Sequence, residues 1–481
     1  MHSGARDENG NTENGHGDGS RAPYDREMSN DALADLAAQL PDDTLLTGGD
    51  AVEPYRRDRA LDPAAGVPLT VARPRTTHEV QTIVRWASDH GIPLVPRGAG
   101  TGLSGGATAV DGGIVLSTER MREIRIDRGT RTVTVQPGLL NAELKAAVAA
   151  EGLWYPPDPA SFEICSIGGN IATNAGGLCC VKYGVTADYV LGLEVVLADG
   201  RALRLGGPLI KDVAGLNLLK LFIGSEGTLG VVTEITLRLL PAPPAPRIVA
   251  AWFASIEDAA AAIAEISTTI RPSMLEYMDR TCIDSVEDVL ALGMDRDAAA
   301  LVLGGSDDLD PDGRDIAFMT DAFMRHGAYD VVETSPEEGA ALAGARRAAI
   351  PAVERRGRLL LSDVGVPLPR LRELLLGISR LEAEHEVTIA MLAHAGDGNT
   401  HPLVVFDPAD DEAAERAELA YGRIMSLAIS LGGTISGEHG VGRMKRPWLR
   451  DQVGDDVLEV AGRIKHALDP AGILNPGAIF A

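Results

Sequence analysis

Two short glycine-flanked clusters near the C-terminal end of this chain hold the residues best suited to chemistry. In His394-Ala-Gly-Asp-Gly-Asn399-Thr-His401, two imidazoles stand at either end of a tight turn between apolar runs. A hairpin of residues 387–393 and 403–406 would carry them on facing strands, where both rings can converge on one ion. A second cluster, Ser436-Gly-Glu438-His439-Gly-Val-Gly442, adds a carboxylate and a third imidazole. Two histidines and one carboxylate suit a divalent metal that keeps positions free for substrate. Imidazole and carboxylate donors accommodate several ions, so zinc is expected, with manganese as the rival. A lone histidine often just satisfies backbone groups, but grouping in two glycine-rich segments favours function.

Three further glycine-rich segments lie upstream. They are Arg97-Gly98-Ala99-Gly100-Thr101-Gly102, Ser166-Ile-Gly168-Gly169-Asn170 continuing to Asn174 and Gly177, and Gly224-Ser-Glu226-Gly-Thr-Leu-Gly230-Val231. Successive backbone N–H groups in such loops form anion-binding nests, and Arg97 adds positive charge. Gly100 to Gly105 matches G-x-G-x-x-G, yet the following residues run into the β-rich stretch 114–117. No helix opens at the glycines, so the Rossmann reading is rejected.

These residues need elements to hold them. The chain has 481 residues, too many for one ordinary core, so two or three domains are expected. Residues 1–29 are Gly, Asn, Asp and Glu with few large apolar side chains, and they read as a disordered tail. From about Leu69, short β-like runs alternate with amphipathic helices such as 77–90, with strands at 68–72, 92–95 and 231–240. The proline-rich stretch 241–246 reads as a linker. Beyond it, helices at 256–269 and 337–349 and strands at 299–304 and 359–364 suggest an antiparallel sheet in an α+β domain. A net charge of −25 without a basic patch argues against nucleic acid and anionic lipid as partners. No apolar run reaches membrane-span length, and the acidic start lacks signal-peptide features, so a cytoplasmic location is expected. Four cysteines without a C-x-x-C pair read as reduced and structural.

Pro96–Gly106, Tyr155-Pro-Pro157-Asp158-Pro159, the Ser166 and Gly224 segments and Leu468-Asp-Pro-Ala-Gly-Ile-Leu-Asn475-Pro-Gly477 together resemble the vanillyl-alcohol oxidase and para-cresol methylhydroxylase superfamily. The resemblance implies an α+β fold: a two-part FAD-binding domain over 30–243, a substrate (cap) domain with an antiparallel sheet over 244–425, and a segment 426–481 completing both. It implies FAD contacts by Arg97, Gly98, Ala99, Gly100, Thr101, Gly102, Ser166, Gly168, Gly169 and Asn170. Pro157, Asp158, Asn174, Glu226, Gly230, Val231 and Asn475 would lie along the rest of the cofactor. The two histidine clusters are similar to those of the subgroup containing D-lactate dehydrogenase, the glycolate oxidase flavin subunit and D-2-hydroxyglutarate dehydrogenase. That likeness implies His394, His401 and Glu438 as metal ligands and Asn399 and His439 at the substrate. It also implies Arg346 as the clamp on the substrate carboxylate, with Arg347 one residue away as the competitor. Dicarboxylate-oxidising relatives carry a lysine where this chain has Leu361, which favours a short or apolar substrate tail.

The inventory makes chemical sense without the family. Oxidising C2 of a 2-hydroxy acid requires loss of the hydroxyl proton, which a Lewis acid assists and His439 can accept. A guanidinium binds the carboxylate at two points, and a flavin takes the hydride. The expected function is therefore an FAD-dependent D-2-hydroxy-acid dehydrogenase acting on D-lactate or glycolate. D-2-hydroxyglutarate dehydrogenase and an alkyldihydroxyacetonephosphate synthase-like enzyme are the alternatives. No haem motif or cysteine cluster is present, so electrons leave to a separate cytochrome, quinone, electron-transfer flavoprotein or oxygen; a homodimer stays open. Some family members attach the flavin to a histidine at the position of Thr101, so dissociable FAD is expected here. Acid precipitation should leave yellow FAD in the supernatant, and colour retained by the denatured polypeptide would contradict this.

Overall fold

The computed structural model describes residues 33–308 and 312–480, so the expected N-terminal tail lies outside the described residues. The first sheet is ordered Leu45–Leu46, Thr70–Ala72, Ile114–Ser117, Leu94–Arg97, and its last three strands are parallel. Helix Thr77–His90 crosses between two of them. Thr76 caps its N-terminus by accepting from Glu79 N, Gly91 closes it in the left-handed region, and Val80, Ile83, Val84 and Ala87 face the core. The strand expected at 92–95 runs instead from Leu94 to Arg97. It therefore ends directly at Gly98, and the first glycine loop leaves the carboxyl end of a parallel strand.

A second sheet is antiparallel throughout, in the order Ile124–Asp127, Thr132–Val135, Val231–Arg238, Val190–Val196, Ala202–Gly206. The segment expected as a glycine loop at 166–177 contains the helix Ile167–Thr173. Ser166 caps it by accepting from Gly169 N, and buried Ile167 and Ile171 supply its apolar face. The stretch expected as a linker is shorter. Leu240–Pro241 pairs with Leu153–Trp154, and the next long strand already begins at Arg247.

The third sheet is antiparallel, ordered Ala328–Glu333, Arg247–Phe253, Ala300–Ser306, Met274–Asp279, Thr388–His394, Asn399–Phe406, Arg358–Leu361, with Val364–Gly365 also paired to Asn399–Phe406. Its central strands are buried on both faces. Val249, Ala251 and Phe253 pack against helices Ile256–Thr269, Arg314–Arg325, Leu371–His385 and Asp411–Ser430. Ile248 and Ala250 point the other way, toward helices Arg280–Leu290 and Pro336–Glu354. The strand expected over 359–364 breaks at Ser362–Asp363, and Asp363 is fully buried at the break.

The segment 436–442 is pinned from both sides. On one side, the Glu226 carboxylate accepts from Val441 N at 2.7 Å and Gly442 N at 2.8 Å. Gly442 has φ +54°, and a Cβ there would collide with the Ser104 carbonyl, so only glycine fits. On the other side, Asp363 accepts from Glu438 N, His439 N and Ser436 Oγ and pairs with the buried Lys445 ammonium at 3.2 Å. Burial would raise the Asp363 carboxyl, but the charges of Lys445, His439 and His401 hold it well below the usual range.

Two measurements check these anchors. Asp363→Asn leaves Lys445 buried without its counter-charge and should cost about 3–5 kcal/mol in urea unfolding; a loss below about 1 kcal/mol would mean the pair is not the anchor. Burial pushes Glu226 up to about 7 from an ordinary 4.5, against the two N–H donors. Its folded pKa is raised, so its stability contribution is full below about pH 4.5 and is lost as pH rises through about 7. The unfolding midpoint should fall over that window relative to Glu226→Gln, whereas parallel pH curves would contradict the burial argument.

Candidate active site

The register of one hairpin assembles the histidines. Leu392 pairs with His401 and His394 with Asn399, so all four side chains lie on one face of the sheet. The expected turn is tighter than the sequence suggested, because Asn399 already opens its strand and His401 sits inside it. Glu438 reaches this face from the pinned segment. Its Oε1 lies 3.2 Å from His394 Nε2, 3.3 Å from His401 Nε2 and 3.8 Å from His439 Nε2. His401 and His439 stack with ring centres 4.9 Å apart. His394, His401 and Glu438 each offer a ligand atom, and these atoms lie within 4.8 Å of one another.

Carboxylates that the sequence reading missed lie beside these rings. Glu276 pairs in register with His394 and sits 2.9 Å from its Nδ1. Asp363 lies 3.8 Å from His401 Nδ1 and 3.9 Å from His439 Nδ1. A signal for Glu276 was present, since it is the lone charge within the apolar run Met274-Leu-Glu-Tyr-Met278. Burial opposes a charge on His394, yet the Glu276 and Glu438 carboxylates outweigh it and hold the ring well above the usual histidine range. Burial would raise Glu438, but His394 and His401 hold it well below the carboxylate range. Negative charge is thus concentrated where a proton or a cation can sit. Asp363, His401 and His439 form a second such group, but Lys445 already supplies the cation there. Burial pushes His439 down to about 4 despite the attraction of Asp363, so its ring is neutral near pH 7.

One cavity of about 660 Å³ joins this cluster to the glycine segments. Gly98, Ala99, Gly100, Thr101, Gly102, Gly168, Gly169, Asn170, Glu226, Gly230 and Val231 line one part of it. Arg346, Arg347, Leu392, His394, His401, Glu438 and His439 line another. The first part is largely backbone. Gly98 packs so closely on Ser166 that a Cβ would strike its Oγ, and that Oγ accepts from Ala99 N. A large anionic cofactor fits a cavity of this volume with such a lining.

Several of the expected contacts hold neighbouring segments of the protein. Arg97 lines the cavity, but its guanidinium donates to the carbonyls of Arg57 and Pro54. Ser166 and the residues Pro157, Asp158, Asn174, Asn399 and Asn475 are outside the lining. The Pro157 carbonyl accepts from Asn141, Asp158 accepts from Cys179 N, and Asn174 from Ala187 N. Asn475 donates to the carbonyls of Gly106 and Glu226, and Asn399 packs against Gly437 with its Oδ1 buried and unpartnered. Leu361 is also off the cavity. It pairs with Leu403 and packs into the apolar cluster under helix Pro336–Glu354. Leu392 and Ile350 occupy the wall instead.

The two neighbouring arginines part company. Arg347 pairs with Asp158 at 3.3 Å and lies over the Phe162 ring. Arg346 is 1% exposed, and its Nε stands 2.8 Å from Glu276 Oε2. Helical neighbours point about 100° apart, and it is Arg346 that meets the carboxylate paired with His394.

Comparison with known proteins agrees with this architecture. Residues 68–206 match the FAD binding domain family, and residues 242–479 match the family described as FAD linked oxidases, C-terminal domain. The chain is 42% identical to "Glycolate oxidase subunit GlcD" of Bacillus subtilis over 86% of this chain and 89% of that protein. It is 36% identical to "D-lactate dehydrogenase" of Archaeoglobus fulgidus over 88% of this chain and 95% of that one. The solved 4-ethylphenol oxidase from Gulosibacter chungangensis superposes with a TM-score of 0.78 at 20% identity, covering 96% and 98% of the two chains, which shows the fold alone. No helix among the described residues is long and apolar enough to cross a membrane. With both of its parts matched and relatives this similar over nearly its whole length, the chain belongs to the FAD-linked oxidases.

Proposed function

We propose that this FAD-linked oxidoreductase oxidises a D-2-hydroxy acid of the D-lactate or glycolate kind to its 2-oxo acid and passes the electrons to a separate acceptor. The observation that carries the reading is a single cavity with glycine-rich backbone in one part and Arg346, His394, His401, Glu438 and His439 in another. The names of the relatives agree with it. Bound along the glycine segments without a covalent link, FAD would accept the hydride, and a divalent ion held by His394, His401 and Glu438 would supply Lewis acidity.

The protein's own groups do the rest. Arg346 is nearly buried and its Nη2 has no protein hydrogen-bond partner, which suits it to receive a carboxylate from the cavity. His439, neutral near pH 7, accepts the hydroxyl proton at Nε2, while Asp363 holds its backbone N–H at 2.8 Å. Leu392 and Ile350 offer the substrate tail an apolar wall, which disfavours a second carboxylate by desolvation.

Steady-state kinetics with an artificial electron acceptor test the assignment. D-lactate or glycolate should show a higher kcat/KM than D-2-hydroxyglutarate and L-lactate, and the reverse order would refute the substrate class. Arg346→Lys keeps the charge but loses the two-point fork, so kcat/KM should drop about 10- to 100-fold, mainly through KM. His439→Ala should lower kcat about 10²- to 10⁴-fold with FAD content unchanged. Chelation should remove activity and a divalent ion restore it; full turnover by metal-free protein would refute the metal centre.

A further inference from the structure

The buried Glu276 touches both halves of the substrate end of the cavity. Its carboxylate is 1% exposed and lies between two side chains brought from different elements. His394 comes from the adjacent strand, with Nδ1 2.9 and 3.0 Å from the two carboxylate oxygens. Arg346 comes from helix Pro336–Glu354, with Nε 2.8 Å from Oε2. Both neighbours line the cavity, whereas Glu276 does not. We propose that Glu276 is a positioning residue that orients the ion-binding histidine and the carboxylate-binding arginine together.

The argument is one of donors and acceptors. A carboxylate facing Nδ1 keeps a proton on that nitrogen, so an ion that displaces the proton between Nε2 and Glu438 meets the Nε2 lone pair. The same carboxylate forms an ion pair with Arg346 at Nε without an aligned hydrogen bond, and the terminal Nη2 has no partner in the protein, which leaves it for an incoming anion. Buried charge on Arg346 also has its counter-charge here, so the clamp stays in place before substrate arrives. An amide in place of the carboxylate removes the counter-charge of Arg346 and can turn an N–H toward His394 Nδ1, which no longer fixes the proton there.

The proposal rests on the metal-centre reading above, and the test separates the two. FAD-loaded protein is titrated with Mn²⁺ and Zn²⁺ in competition with a chromophoric chelator. Glu276→Gln should weaken ion affinity about 10- to 100-fold at unchanged FAD content. Asp279→Asn is the control, a partly buried carboxylate on the same strand that instead accepts from Cys282 N and Met391 N; it should leave ion affinity as in the wild type. If Glu276→Gln fails to fold because Arg346 is left unpaired, the Glu276→Gln/Arg346→Gln double variant removes both charges and should still show the loss. Ion affinity within about threefold of wild type in whichever variant folds overturns the role of Glu276 alone. A wild-type protein that takes up no ion overturns the metal centre and this role with it.

Discussion

Charge buried at the histidine end of the cavity has to be balanced by groups drawn from separate stretches of chain. Glu276, Asp363 and Glu438 are all withdrawn from solvent, and each meets a partner that the fold delivers. Arg346 arrives on a long helix, Lys445 follows the pinned segment, and the imidazoles come from one hairpin. An unpartnered carboxylate in such a place would be expensive or would take up a proton. The requirement for partners therefore dictates much of the surrounding architecture, including the broken strand at Ser362–Asp363 and the backbone donors aimed at Asp363.

The same logic joins the two halves of the molecule. Glu226 belongs to the third glycine segment, yet its carboxylate is held by the backbone of Val441 and Gly442. Asn475 donates to the carbonyls of Gly106 and Glu226, and Leu474 bridges to Leu94 on the first sheet. The segment carrying Glu438 and His439 is thus positioned by the glycine-rich half. Many of the glycines in these loops serve close packing of protein on protein, as Gly98 does on Ser166, in addition to any approach by a ligand.

Much of this was legible in the residues themselves. Glycine-flanked polar groups interrupt the local hydrophobic pattern, so His394, His401, Glu438 and His439 could be singled out, and apolar periodicity correctly indicated helix Ile256–Thr269 and the antiparallel sheet beyond residue 246. Those signals are local, arising from side-chain period and turn chemistry within a few residues. What pairs with what is not local. That Arg346 rather than Arg347 meets Glu276, that Leu361 packs under a helix while Leu392 lines the cavity, and that Arg97 props its own loop all depend on strand register and helix rotation. Register and rotation are decided by packing contacts summed over distant segments, where a shift of one residue turns every side chain to another face. The chain's spacing determined which chemical groups were present, and tertiary packing decided which of them share one buried, charge-balanced space.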